Sequence, residues 1–392
     1  MPALQVGSPD QLLLIGNAVL LPLSASFLIV FGSPYVGEIR GEIQAAAPEY
    51  YRSIVVSIVT ASAVLAIVSA VVQLRRFRYD PATAETSGHL PIRIRYVLIA
   101  AAVAIGGGYA RTVSTGNPEV DMVEAFHFVE YGLVAYLFYR AWRLRPDLSG
   151  VLLAGCAGVA VGIADEWVQW LVPGRVGEMH DVALNAVAVV CGLLFSTGMH
   201  PPLSLAFPRR RGSRVAIGAS AGILCVAGAG FVDRVHLGYE VHDGQAVVFR
   251  SRYDPRQLAA AAMNRAARWD ASPPPRRGFS REDHYLTEGE WHVTRRNNAV
   301  GTGDWHAAWG ENVILERFYA PVLDRLGRWS IEQKAAVDRS RAARTRAPYV
   351  SDAVPYPIYV VRRSMFWLLT GLIGGAIVWV CARGNASEAL QR

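Results

Sequence analysis

The stretch that decides the fold reads EAFHFVEYGL at 124–133, ADEWVQWLVPGR at 164–175 and DVALN at 181–185. Here acidic, histidine, tyrosine and amide side chains stand inside runs apolar enough to cross a bilayer. Ionisable groups are expensive in hydrocarbon and are retained there for a partner, a cavity or a function. Helical spacing places Glu124, His127 and Tyr131 on one stripe with Glu130 beside it. Asp165 and Gln169 are one turn apart, Glu166 lies on the turn before Gln169, and Asp181 and Asn185 are again one turn apart. Each of three consecutive helices therefore presents one polar face. If the first enters from outside near Asp121, His127 lies about 9 Å along it, and Asp165 and Glu166 come to a similar depth on the next. Asp181 and Asn185 then follow Arg175 and Glu178 back inward, so all three faces can meet in one pocket at the outer leaflet.

Working outward, the 392 residues are 52% hydrophobic with a mean hydropathy of +0.23. This is too apolar for a large soluble enzyme and too polar for a pure membrane bundle. A bilayer core needs roughly 20 apolar residues per helix. Candidate spans are 11–31, 53–74, 94–113, 119–140, 148–172, 179–198, 214–231 and 364–381. The expected fold is mainly α: a polytopic helical membrane protein of about eight spans, with a small, mainly helical extracytoplasmic domain. The segments are 1–118 (three spans), 119–198 (the polar core), 199–233 (one span), 234–361 (the aqueous domain) and 362–392 (the last span and tail).

The net charge of +7 comes almost wholly from arginine, Lys334 being the only lysine. Arg75, Arg76, Arg78, Arg93 and Arg95 follow span two, Arg140, Arg143 and Arg145 follow span four, and Arg209, Arg210, Arg211 and Arg214 follow span six. The alternate loops are poorer, so the arginine bias puts both termini in the cytoplasm and residues 234–361 outside. The expected location is a bacterial inner membrane. Topology explains the basic residues without nucleic acid, and lipid is the expected surrounding partner. Cys156, Cys191, Cys225 and Cys381 sit in apolar runs at no zinc or redox spacing and read as packing residues.

Within 234–361, an alternation around 246–249 reads as a strand, and helices fit 257–269, 286–298, 304–326 and 331–344. Residues 272–278, with three consecutive prolines, read as a rigid linker. Trp305, Trp309, Phe318, Tyr319 and Trp329 fit a core, although an aromatic surface could also receive a membrane protein partner. Gly371 and Gly375 give a helix-contact spacing that fits packing within the chain or between copies. No P-loop, dinucleotide-binding or haem-attachment motif occurs, and no cofactor is expected.

The ordered motifs resemble the VanZ-like family over residues 119–198. They are His127-Phe128-Val129-Glu130-Tyr131, Asp165-Glu166-Trp167-Val168-Gln169, Pro173-Gly174-Arg175, and Asp181 with Asn185. Three positions depart from the pattern: Val123-Glu124 replaces an Asp-Lys pair, and Ala188 replaces a glycine. The resemblance implies a cell-envelope membrane module. The founding member is linked to reduced susceptibility to the glycopeptide teicoplanin, and most relatives have no established activity.

Two readings of the cluster stand side by side. In the first, His127, Asp165 and Glu166 form an acid/base centre, since neighbouring carboxylates in a poorly solvated site raise one pKa. Arg175 is then an anion clamp. Glu124, Glu130, Tyr131, Gln169, Asp181 and Asn185 bind and orient a lipid-linked or glycopeptide-type ligand. The inventory of acids and bases does not name a reaction, and no His-x-x-x-His spacing supports a metal. In the second, the groups form a buried network that fixes helix register, and the chain is an accessory subunit docking through 234–361.

Overall fold

In the computed structural model, the structure describes residues 9–46, 48–79, 90–113, 118–171, 177–244, 246–271, 284–342 and 348–383. Arg175 with Pro173-Gly174, the 272–278 linker and the tail from 384 lie outside the described residues. The protein is a mainly α polytopic membrane protein. Its membrane-type helices are α1 (Pro9–Ala46), α2 (Pro48–Tyr79), α3 (Ile92–Val113), α4 (Pro118–Trp142), α5 (Ser149–Leu171), α6 (Met179–Met199) and α7 (Arg211–Val235). After the strands and helices of residues 239–350 comes α13 (Arg363–Arg383).

Each expected span is helical. Six are long and apolar enough to cross a membrane by length and composition, namely α2, α3, α5, α6, α7 and α13. The apolar part of α1 is the shorter Val19–Ser33, and α4 has the length but carries the acidic stripe. α1 also continues well past residue 31. The helix runs on through Pro34 to Ala46, and Pro48 opens α2, where the missing N–H is tolerated.

The chain forms two compact units. The first gathers residues up to Val168, Met179–Gly228, and Thr370 onward. Its centre is built on close approach. A Cβ on Gly192 of α6 would come within 2.7 Å of the Gly132 backbone on α4. On α5, Gly155, Gly158 and Gly162 face Leu193, Val189 and Asn185 of α6 in reverse order. Small residues let helix backbones approach, and side chains of the partner fill the groove. Around them Tyr131, Val134, Ala135, Tyr139, Ala154 and Ala188 are fully buried. Gly218 and Gly222 of α7 receive Cys381 and Val378 of α13 in the same way. Gly371 and Gly375 meet nothing within 4 Å among the described residues. The cysteines are free thiols, as packing roles require.

Arg95 corrects a sequence expectation. It is not a loop arginine but a buried residue of α3, whose Nε and Nη2 donate to the Gly198 and Met199 carbonyls at 2.8 and 2.5 Å. The last carbonyls of α6 have no partner within their helix and carry the negative end of its dipole, which a guanidinium satisfies.

The second unit comprises Gln169–Glu178 and Ala229–Leu369. Strands β1 (Tyr239–Asp243) and β2 (Val247–Ser251) pair antiparallel, and β3 (Tyr349–Val350) adds parallel to β2. The expected strand is thus a hairpin with Ala246 in its turn, where Gly244 takes a φ of +57°. Helices α8 (Pro255–Ala271), α9 (His284–Thr302), α10 (Trp305–Phe318), α11 (Ala320–Leu326) and α12 (Ile331–Ala342) complete the unit. The single helix expected over 304–326 is two. Pro321 removes a helical N–H and crowds the preceding turn, so the chain breaks at Tyr319. Asp304 caps the first helix through the Ala307 N–H at 3.1 Å, and Gly327, at φ +111°, closes the second. Trp305, Trp309, Phe318 and Trp329 pack onto the core, while Tyr319 lies wholly within it.

Two carboxylates are buried in that core. Glu288 accepts from the Ser251 hydroxyl at 2.6 Å, the Arg252 N–H at 2.9 Å and the Tyr319 hydroxyl at 2.7 Å. Glu311 pairs with His292 Nδ1 at 2.5 Å and accepts from the Tyr349 and Ser351 hydroxyls at 2.7 and 2.5 Å. Buried charge persists only when its lone pairs are met in this way.

Candidate functional site

The polar cluster is assembled by the glycine contacts of the first unit. Gly162 lets Asn185 lie directly against α5, one turn before Asp165. Gly132 and Gly192 bring α4 against α6 just beyond Tyr131. The result is two hydrogen bonds between different helices. The Tyr131 hydroxyl donates to Asp165 Oδ2 at 2.7 Å, and His127 Nδ1 meets Asn185 Oδ1 at 2.9 Å. The His127 and Tyr131 rings stack with centroids 5.9 Å apart and planes within 4°, as one turn of helix spacing requires.

Glu166 and Asn185 are fully buried and Asp165 nearly so, whereas Glu124, His127, Glu130 and Asp181 are half-buried. The cluster thus grades from a closed inner end at Tyr131, Asp165 and Glu166 to a more open end at Glu124 and Asp181. Glu130 and Glu166 act electrostatically on the Tyr131 hydroxyl together with Asp165. At the open end, Glu124 and Asp181 both act on Tyr109 of α3.

Eight of the expected residues therefore occupy one region of one unit: Glu124, His127, Glu130, Tyr131, Asp165, Glu166, Asp181 and Asn185. Gln169, buried one turn after Asp165 on α5, groups with the second unit, as does Glu178. Tyr109 is a member that the sequence reading missed. Its signal was a lone polar aromatic residue after Gly106-Gly107-Gly108, in a span otherwise read as weak.

Chemically the cluster offers carboxylates, an imidazole and a phenol. Such a set can hold a proton, donate and accept hydrogen bonds, and bind hydroxyl or amide groups. Among the described residues, no group of three or more His, Cys, Asp and Glu side chains is arranged to hold a metal ion.

Fold and cluster define a class: an integral helical membrane protein with a shared polar centre within its spans. Residues 51–200 match the model of the VanZ/LLP1 family, so the chain carries a VanZ-like membrane module over that stretch. The match is wider than the run of motifs and takes in most of α2 and all of α3, the helix that supplies Tyr109 and Arg95. No curated protein and no solved structure matches the chain.

Proposed function

We propose that this VanZ-like protein is a bacterial cell-envelope module that binds a lipid-linked or glycopeptide-type ligand in the polar centre of its first unit. The supporting observation is the pair of inter-helix hydrogen bonds, Tyr131 to Asp165 and His127 to Asn185, with Glu166 buried beside them. A network serving helix register alone has no need of a half-open end. Here Glu124, Asp181 and Tyr109 extend the polar surface past the buried pairs. Hydroxyl-rich and amide-rich ligands suit such a surface, because each carboxylate and phenol can take one of their donors or acceptors. The arginine bias supports an orientation with the open end at the outer leaflet, residues 234–361 extracytoplasmic and both termini cytoplasmic. The pair Asp165 and Glu166 with His127 is the proton-handling part of the centre.

The test is native mass spectrometry of the protein released with its surrounding lipid, against the double variant Asp165→Asn/Glu166→Gln. A lipid-linked or sugar-bearing adduct on the wild type, missing from a folded variant, is the expected result. No selective adduct on folded wild type would sink the proposal. A protein partner retained by both forms would replace it with an accessory subunit docking through residues 234–361.

A further inference from the structure

The second unit holds a cationic centre of its own. Arg252, immediately after β2, is buried, with 7% of its surface exposed. Its Nη1 has no hydrogen-bond partner among the described residues. Arg234, from the last turn of α7, and Arg363, the first residue of α13, both repel it electrostatically. Burial and these two neighbours depress its pKa, against the pull of Tyr356 and Glu288. The nearby acids discharge the site only in part, through the pairing of Arg363, and leave Arg234 and Arg252 unmatched by a carboxylate ion pair among the described residues. Asp233 is taken by Arg363 at 3.2 Å. Glu288 is held by Ser251, Tyr319 and the Arg252 backbone, and burial raises its pKa.

Gathering two further guanidinium groups around the buried, unsatisfied donor of Arg252 is unfavourable unless an anion completes the arrangement. One face is aromatic: Arg234 lies over the Trp170 ring at 5.3 Å. Arg234 and Arg363 also mark the ends of two membrane-type helices, Arg211–Val235 and Arg363–Arg383. That is the level at which a bilayer places its phosphates. A guanidinium fork matches phosphate oxygens in geometry as well as charge.

We propose that Arg252, Arg234 and Arg363 form a binding site for a phosphate group at the membrane surface. The site is separate from the polar centre of the first unit and does not depend on the function assigned to it.

The experiment uses the full chain in detergent and two probes, phosphatidylglycerol and inorganic phosphate, with phosphatidylcholine as the neutral comparison. Native mass spectrometry counts retained lipid, and thermal unfolding reads the effect of inorganic phosphate. The expected result is one phosphatidylglycerol retained in preference to phosphatidylcholine, with retention falling at least tenfold in Arg252→Gln. Because Arg252 is buried, the exposed pair Arg234→Gln/Arg363→Gln provides the variant that keeps its fold, and it should lose the lipid equally. Arg256→Gln, on the exposed start of α8, should change nothing. A stabilising shift from inorganic phosphate, abolished by the same pair and without lipid retention, would assign the site to a soluble phosphate compound. Absence of both effects, or retention unchanged in the folded pair variant, would overturn the proposal.

Discussion

Tyr131 and Asp165, 34 residues apart on the consecutive helices α4 and α5, are joined by a 2.7 Å hydrogen bond in the closed end of the polar centre. Both are buried. Tyr131→Phe keeps the ring and its stack on His127 and removes only the donor. Inter-helix hydrogen bonds within bilayers are worth on average about 0.6 kcal/mol and up to about 1.7. The variant is expected to lose about 1 kcal/mol of stability, measured by reversible unfolding in mixed micelles. A loss below the error of that measurement would show that Asp165 is equally well served without the phenol.

Gly192 and Gly107 form a matched test of the helix contacts. A methyl group at Gly192 would meet the Gly132 backbone, which cannot move aside as a side chain can, whereas Gly107 faces open space. Gly192→Ala is expected to cost about 1–3 kcal/mol through overpacking. Gly107→Ala should be neutral or slightly stabilising, since alanine is the better helix former. Thermal unfolding of the two variants in one detergent reads the difference, and equal effects would refute the close approach of α4 and α6.

Tyr109→Phe tests the open end of the polar centre. The hydroxyl lies near Glu124 and Asp181 and is only partly buried. Its loss should leave unfolding unchanged and weaken ligand retention by about tenfold, the scale of one hydrogen bond to a charged partner. Retention equal to wild type would remove Tyr109 from the site.

Glu288 makes the stability of the second unit depend on pH. Burial raises its folded pKa above the ordinary carboxylate value of 4.5. Between those two values the folded state holds the proton and the unfolded state has released it. Stability therefore falls as pH rises from about 4.5 to the raised value and levels off above it, with a slope of at most about 1.4 kcal/mol per unit. Glu288→Gln should flatten that slope, because the Ser251 and Tyr319 hydroxyls can turn to accept from the amide. Denaturant unfolding followed by tryptophan fluorescence from pH 4 to pH 8 reads the effect. A wild-type curve that rises with pH over the same window would contradict the assignment.

The positions of the membrane helices were legible because length and apolar composition act locally, residue by residue. The polar faces on α4, α5 and α6 were legible for the same reason: helical period alone aligns Glu124 with His127 and Asp165 with Gln169. Which groups touch was not. The bond between His127 and Asn185 depends on Gly162 opening space on another helix, and no pattern within α6 records that. Arg95 read as a topology marker because its partners, the final carbonyls of α6, lie a hundred residues away and are backbone atoms. The break at Tyr319 did have a local sign in Pro321, outweighed by the apolar period on either side of it.

The glycine groove on α5 also bears on how the module enters the membrane. A helix arriving alone with Asp165 and Glu166 in its last third would present two uncompensated acids to lipid, each at a cost below the roughly 2.5–3.5 kcal/mol of a charge at the helix centre. Tyr131 on α4 precedes them in the chain, and the groove of Gly155, Gly158 and Gly162 is filled by α6, which follows. With Asp165 bonded to α4 and the glycine groove filled by α6, the arrangement favours insertion of α4, α5 and α6 together over insertion of α5 alone.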